Sequence, residues 1–175
     1  MEQTNTSSKT RLLVTTALFT ALTCVATMVI QIPSPMSGYV NLGDTMVLLS
    51  AFLLGPWYGA VAAGVGSALA DFLLGYSAYV PGTLLIKATM AIVAGLLYRY
   101  VSDKRGGSLL AAIPAEAVMV LGYFTYAGLL LGKGFAAAAS IPGNLVQAVF
   151  GMVAATALVA VLRRNSYVRR AYPAL

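Results

Sequence analysis

The stretch VNLGDTMVLLSAFLLGPWYGAVAAGVGSALADFLLGY, Val40 to Tyr76, is apolar almost throughout and carries one strong interruption, Gly55-Pro56-Trp57-Tyr58-Gly59. Glycine next to proline is turn chemistry, and the adjoining Trp-Tyr pair suits the border between hydrocarbon and water. The stretch can be read as two short helices, about 43–55 and 58–75, or as a single helix of about 34 residues. Two helices are the expectation. Each is near or below the roughly 20 residues that cross a bilayer, so one of them must be tilted, kinked or partly shielded by its neighbours. The choice decides whether the chain has five or six spans, and so whether its two ends lie on the same side.

Upstream, a polar segment carrying Lys9 and Arg11 precedes an apolar block from about Leu12 to Ile30, which is followed by Pro33 and Pro35. The block is longer than the apolar core of a signal peptide, about 7–15 residues, and no small-x-small cleavage site follows it, so it is expected to be a first transmembrane helix. Downstream, a Tyr-rich connection with Tyr76, Tyr79, Pro81 and Gly82 leads into an apolar helix from about Thr83 to Tyr100, closed by Arg99, Lys104, Arg105 and Gly106-Gly107. A helix over about 109–131, a loop with Lys133 and Gly134, and a last helix from near Pro142 to Arg163-Arg164 complete the chain. The expected fold is therefore an all-α integral membrane protein, a single membrane domain over 1–175. Its six transmembrane helices are expected at about 12–30, 43–55, 58–75, 83–100, 109–131 and 142–163.

Composition agrees. Hydrophobic residues make up 59% of the 175 and charged residues 9%, against roughly a quarter charged in a soluble domain. The net charge of +6 does not imply nucleic acid, because the basic residues sit between and beyond apolar blocks rather than along one polar face. The single Cys24 lies inside the first block and reads as a small packing residue. With six spans and an inside N-terminus, Lys9, Arg11, Arg99, Lys104, Arg105, Arg163, Arg164, Arg169 and Arg170 all fall on the cytoplasmic side. Lys133 is then outside, and Lys87 lies within a helix. This charge bias puts both termini in the cytoplasm.

Ionisable groups at membrane depth are costly and mark functional sites by default. Here they are Asp44, Asp71, Lys87 and Glu116, the first three toward the outer leaflet and Glu116 deeper. Asp71 and Lys87 can be a structural ion pair tying helices three and four, or one of them can contact a ligand. Glu116 can be held by an internal hydrogen bond, stay partly protonated, or serve a function. Asn41, Tyr76, Tyr79, Tyr123, Tyr126, Asn144 and Gln147 fall on the same outer side. Some of the tyrosines can be interfacial anchors. Asn144 and Gln147, three apart, share a helix face, and two amides are expensive to point at lipid. The predicted ligand site is Asn41, Asp44, Asp71, Tyr79, Lys87, Tyr123, Asn144 and Gln147, an aromatic-lined polar pocket for a small, flat, hydrogen-bonding molecule. Small residues recur at Ala17 and Ala21 in the first helix and at Gly55, Gly59, Ala63, Gly64, Ala68 and Gly75 beyond, spacing that lets helices approach closely.

Absences narrow the chemistry. Without histidine there is no imidazole metal site and no Ser-His-Asp triad. Gly132-Lys133 lacks the spacing and following hydroxyl of a phosphate loop. The chain is thus expected to bind no cofactor and to be no enzyme, and active transport must draw on a partner or an ion gradient. A self-sufficient secondary transporter or channel is the alternative, but it would normally show internal repeats, and none is visible.

Gly38-Tyr-Val-Asn-Leu-Gly-Asp44, Leu53-Leu-Gly-Pro56, Gly66-Ser-Ala-Leu-Ala-Asp71, Tyr79-Val-Pro-Gly-Thr-Leu-Leu-Ile-Lys87, Gly122-Tyr-Phe124 and Ile141-Pro-Gly-Asn-Leu-Val-Gln147 follow one another along the chain. In this order they resemble a substrate-binding S component of the energy-coupling factor (ECF) transporters, over nearly the whole length. The resemblance implies vitamin uptake across the plasma membrane of a prokaryote. In it, a transmembrane coupling subunit and two cytoplasmic ATPases use ATP, and the S component captures substrate outside and topples in the membrane. It also implies that the Ala17 and Ala21 step docks the coupling subunit. By analogy, the ligand looks nearest to pyridoxine or hydroxymethylpyrimidine, with riboflavin next.

Overall fold

The computed structural model describes residues 2–33 and 39–172; Pro35 and Gly38 lie outside the described residues. Helix α1 spans Glu2–Val29 and is followed by a two-residue ribbon in which β1 (Ile32–Pro33) pairs antiparallel with β2 (Tyr39–Val40). Helices α2 (Gly43–Leu73), α3 (Val80–Val101) and α4 (Gly107–Thr125) come next. The end of α4 widens into a π turn over Tyr126–Leu130, and a 3-10 turn over Gly134–Ser140 leads into α5 (Ile141–Leu162) and the short α6 (Ser166–Ala171).

The first helix begins at Glu2 rather than near residue 12. Polar residues do not stop a helix, and no Gly or Pro occurs before Pro33; the apolar run marks only the part able to sit in hydrocarbon, Lys9–Val29. The 3-10 turn at Gly134–Ser140, expected as loop, is ordered by its own backbone and by Ser140, whose hydroxyl donates to Ala137 O.

Within α2 the helical conformation breaks at Gly55, with φ 79° and ψ 178°. The break is a reversal, because a Cβ built on Gly59 would lie 2.7 Å from the Ala51 Cα and the Ser50 hydroxyl donates to the Gly59 carbonyl at 3.4 Å. Residues eight apart in a straight helix would be about 12 Å apart. Two arms, 43–54 and 56–73, therefore run back to back. Gly55 tolerates the left-handed φ, Pro56 opens the second arm where its missing N–H costs nothing, and Gly59 leaves the space in which the arms touch.

This hairpin is the centre of the bundle. It packs against α1, α3 and α5, and α4 closes the far side against α3 and α5. Val47, Leu48, Phe52, Ala62, Ala63, Met90, Ala94, Tyr98, Ala115 and Met119 form the core. Many are alanines, and backbones come close: a Cβ on Gly66 would fall 2.5 Å from the Thr20 carbonyl of α1. Outward faces carry Leu18, Val25, Leu85, Ile113, Leu121, Val146 and Val153, all exposed. Among the described residues, five helices, counting α2 as one, are long and apolar enough to cross a membrane.

Both described ends of the chain lie at one end of the bundle. Arg11 donates to the Ala171 carbonyl, the Thr15 and Tyr172 hydroxyls meet at 3.1 Å, and Arg163 donates to Tyr98 Oη and the Ser102 carbonyl. The α2 reversal is there too, with Arg99 against Gly55. The β ribbon, the turn over 74–79 and the 3-10 turn occupy the opposite end, where the polar side chains converge.

Candidate ligand-binding site

Asp71 ends the second arm of α2 and faces the start of α3. It is 5% exposed, and its carboxylate accepts from the Tyr39 hydroxyl at 2.6 Å and from the Thr83 hydroxyl. Tyr123, on α4, donates in turn to Thr83 Oγ1 at 3.0 Å. Burial pushes the Tyr39 phenol upward, and the Asp71 charge adds to it, so Tyr39 remains a donor across the physiological range. Among the described residues, the Asp71 carboxylate is thus hydrogen-bonded by neutral hydroxyls.

Lys87 lies one helical turn deeper than Thr83 on the same face of α3. Its ammonium pairs with Asp44, and both side chains are at most 2% exposed. Of the two alternatives for Asp71 and Lys87, the ion pair between them is not formed, since Lys87 pairs with Asp44 instead. The first arm of α2 has only 12 residues, about 18 Å of helix, so Asp44 begins well below the rim, level with the second turn of α3. Asp44 also accepts from Gln147 Nε2 at 2.7 Å, and Gln147 Oε1 accepts from the Asn41 backbone N–H at 2.8 Å. The Asn41 side chain accepts from the Gly43 N–H. Gln147 is therefore a strut between α5 and the segment entering α2.

Above this layer a cavity opens, lined by Tyr39, Asn41, Asp71, Tyr76, Tyr79, Thr83 and Tyr123, and by Ala127, Ser140, Asn144 and Gln147 on the side of α4 and α5. Its enclosed part holds about 50 Å³, room for a few waters. The rings of Tyr39 and Tyr76 pack at 4.7 Å between centres, tilted by 39°, and Tyr79 sits 6.5 Å from Tyr123 and 6.2 Å from Tyr126. Lys133 donates to the Tyr79 hydroxyl at the rim. The Asn144 amide, 9% exposed, makes no hydrogen bond among the described residues.

Of the predicted set, Asn41, Asp71, Tyr79, Tyr123, Asn144 and Gln147 line the cavity, whereas Asp44 and Lys87 lie beneath it. Tyr39, Tyr76, Thr83, Ala127 and Ser140 also line it and are not in that set. Thr83 had a signal, its position four residues before Lys87 on one helix face; Tyr39 and Ser140 sit in non-α segments where no periodicity points inward. Ala17 and Ala21 are exposed on the outer face of α1, while Thr16, Thr23 and Thr27 turn into the bundle.

The family model for the ECF-type riboflavin transporter, S component, matches residues 7–164. The chain belongs to this family. A solved S component, described as "Structure and mechanism of the S component of a bacterial ECF transporter", superposes with a TM-score of 0.69 at 22% identity, covering 89% of this chain and 97% of that one. It shares the fold. An uncharacterized protein of Pyrococcus woesei is 41% identical over 142 residues, 81% of this chain and 94% of its own length. The thiamine precursor transporter HmpT of Lactococcus lactis subsp. cremoris is 32% identical over 152 residues, 85% of this chain and 86% of its own. This S component is thus a multi-pass membrane protein of a transporter family, not an enzyme family. ECF S components bind a vitamin ligand and work with coupling and ATPase modules.

Proposed function

We propose that this S component captures a small vitamin or vitamin precursor outside the cell, with pyridoxine or hydroxymethylpyrimidine favoured and riboflavin next. It delivers the ligand inward with a transmembrane coupling subunit and two cytoplasmic ATPases that consume ATP. The observation that carries this reading is the Asp71 carboxylate at a cavity walled by Tyr39, Tyr76, Tyr79 and Tyr123, hydrogen-bonded among the described residues to the neutral hydroxyls of Tyr39 and Thr83. An acceptor so placed suits a ring N–H, amino or hydroxyl donor, and the tyrosines suit a flat ring. The relation to a thiamine precursor transporter supports one ring over a fused tricycle.

In this reading the two α2 arms each cross the plasma membrane of a prokaryote, making six crossings with both termini cytoplasmic. Grouping of both chain ends with the arginines at one end of the bundle supports it. A cysteine at Ser166 should then react with an impermeant reagent only after permeabilisation. The deciding test of function is mass spectrometry of small molecules released from the purified protein, followed by calorimetric titration of a vitamin panel. A single-ring pyridine or pyrimidine should bind tightest; binding of riboflavin alone would reverse the order proposed, and binding of none would remove the assignment.

A further inference from the structure

Below the cavity, Glu116 of α4 is 2% exposed, and neither of its carboxyl oxygens meets a hydrogen-bond donor among the described residues. The charged and amide groups around it are engaged with one another: Lys87 with Asp44, Asp44 also with Gln147, and Gln147 with Asn41. The charged groups facing Glu116 are Asp44 from α2 and Lys87 from α3. From α5 comes Gly151, whose missing side chain leaves the gap: a Cβ there would sit 2.8 Å from Asp44 Cβ and 3.0 Å from Glu116 Oε1. One ammonium therefore faces two carboxyls inside the bundle. With both ionised, the oxygens can only accept, and the second negative charge has no partner. A carboxyl in that position is neutralised rather than left charged.

We propose that Glu116 is an un-ionised carboxylic acid that donates a hydrogen bond to Asp44 and acts as a positioning residue for the binding site. With one proton between the two acids, an acceptor-only contact becomes a hydrogen bond, and the Asp44–Lys87–Glu116 group carries no net charge. Asp44 is then held against Gln147, and Gln147 fixes the backbone of Asn41 at the cavity wall. The protonation half of this inference stands on the bundle alone; the positioning half rests on the proposed ligand site.

Infrared spectroscopy of the purified subunit separates the two. A carbonyl stretch of a protonated carboxylic acid, above the amide band and shifted in D₂O, should be present in the native protein and absent in Glu116→Gln. No such band, or its persistence in Glu116→Gln, overturns the protonated acid whatever the ligand is. Glu116→Gln keeps a donor toward Asp44 and should bind the panel's tightest ligand within about 2-fold of native, whereas Glu116→Leu should weaken it roughly 5-fold or more. Equal affinity in the two variants overturns the positioning role. A Leu variant that does not fold still leaves Gln to decide, because loss of affinity there shows that the charge itself is needed.

Discussion

The two ends of the bundle solve the cost of polarity in opposite ways. At the cavity end, carboxylates, an ammonium, amides and phenols from four helices are drawn inward and spend their hydrogen bonds on one another. At the other end, the cations are turned out: Arg99, Lys104, Arg105, Arg164, Arg169 and Arg170 are exposed, whereas Arg163 reaches in to Tyr98 and Ser102. The interior between them at that end is alanine, phenylalanine and the glycine-proline reversal. Polar groups are buried around the candidate cavity, and at the other end charge stays on the surface.

The largest effect should come from breaking the buried pair. Lys87→Met leaves Asp44 without its counter-charge at a site at most 2% exposed, and removing one partner of a buried pair costs about 3–5 kcal/mol. Thermal unfolding in detergent should show this loss, with Asp44→Asn added to Lys87→Met restoring part of it; a double variant no better than the single one would mean the pair is not the source.

At the opposite end, Gly55→Val puts a β-branched residue at φ 79° beside Arg99. Strain of this kind costs about 1–3 kcal/mol. The same melting experiment should register it, while the ligand affinity of the folded fraction stays native, since the reversal is remote from the cavity. Affinity lost in step with stability would show that the two ends are coupled.

Within the cavity end, Asn144 and Gln147 should separate. Losing a ligand hydrogen bond from either should weaken binding roughly 5- to 150-fold. Asn144→Ala should leave the melting temperature unchanged, because its amide has no partner among the described residues. Gln147→Ala should lower both, because its amide bridges Asn41 and Asp44. Parallel behaviour of the two variants would erase the distinction between a ligand group and a strut.

Arg163→Gln should cost about 1 kcal/mol, since its bonds to Tyr98 and Ser102 are partly solvated, and should leave titrations unchanged. The smallest effect on the isolated subunit belongs to Ala17→Trp on the exposed face of α1. It should alter neither melting nor binding, yet stop uptake by the assembled transporter. Loss of binding in the purified variant would make Ala17 part of the bundle instead.

Read from residues alone, the apolar blocks placed the helices, and Gly55-Pro56 marked the reversal, because hydrocarbon demands long apolar runs and few residues tolerate that backbone. The polar members of the site stood out for the same reason: Asp71, Asn144 and Gln147 are rare types in such runs. Only the tertiary structure decided their partners. Asp71 and Lys87 are 16 residues apart and face neighbouring helices, yet Lys87 pairs with Asp44, 43 residues away. The short first arm of α2 sets Asp44 at that depth, and Thr83 occupies Asp71 first. The depth at which a helix starts and its rotation about its axis follow from close packing at Gly59, Gly66 and Gly151. Such contacts join residues distant in the chain, so no local pattern encodes them, and Tyr39 became visible as a wall of the cavity only when the ribbon carried it across to Asp71.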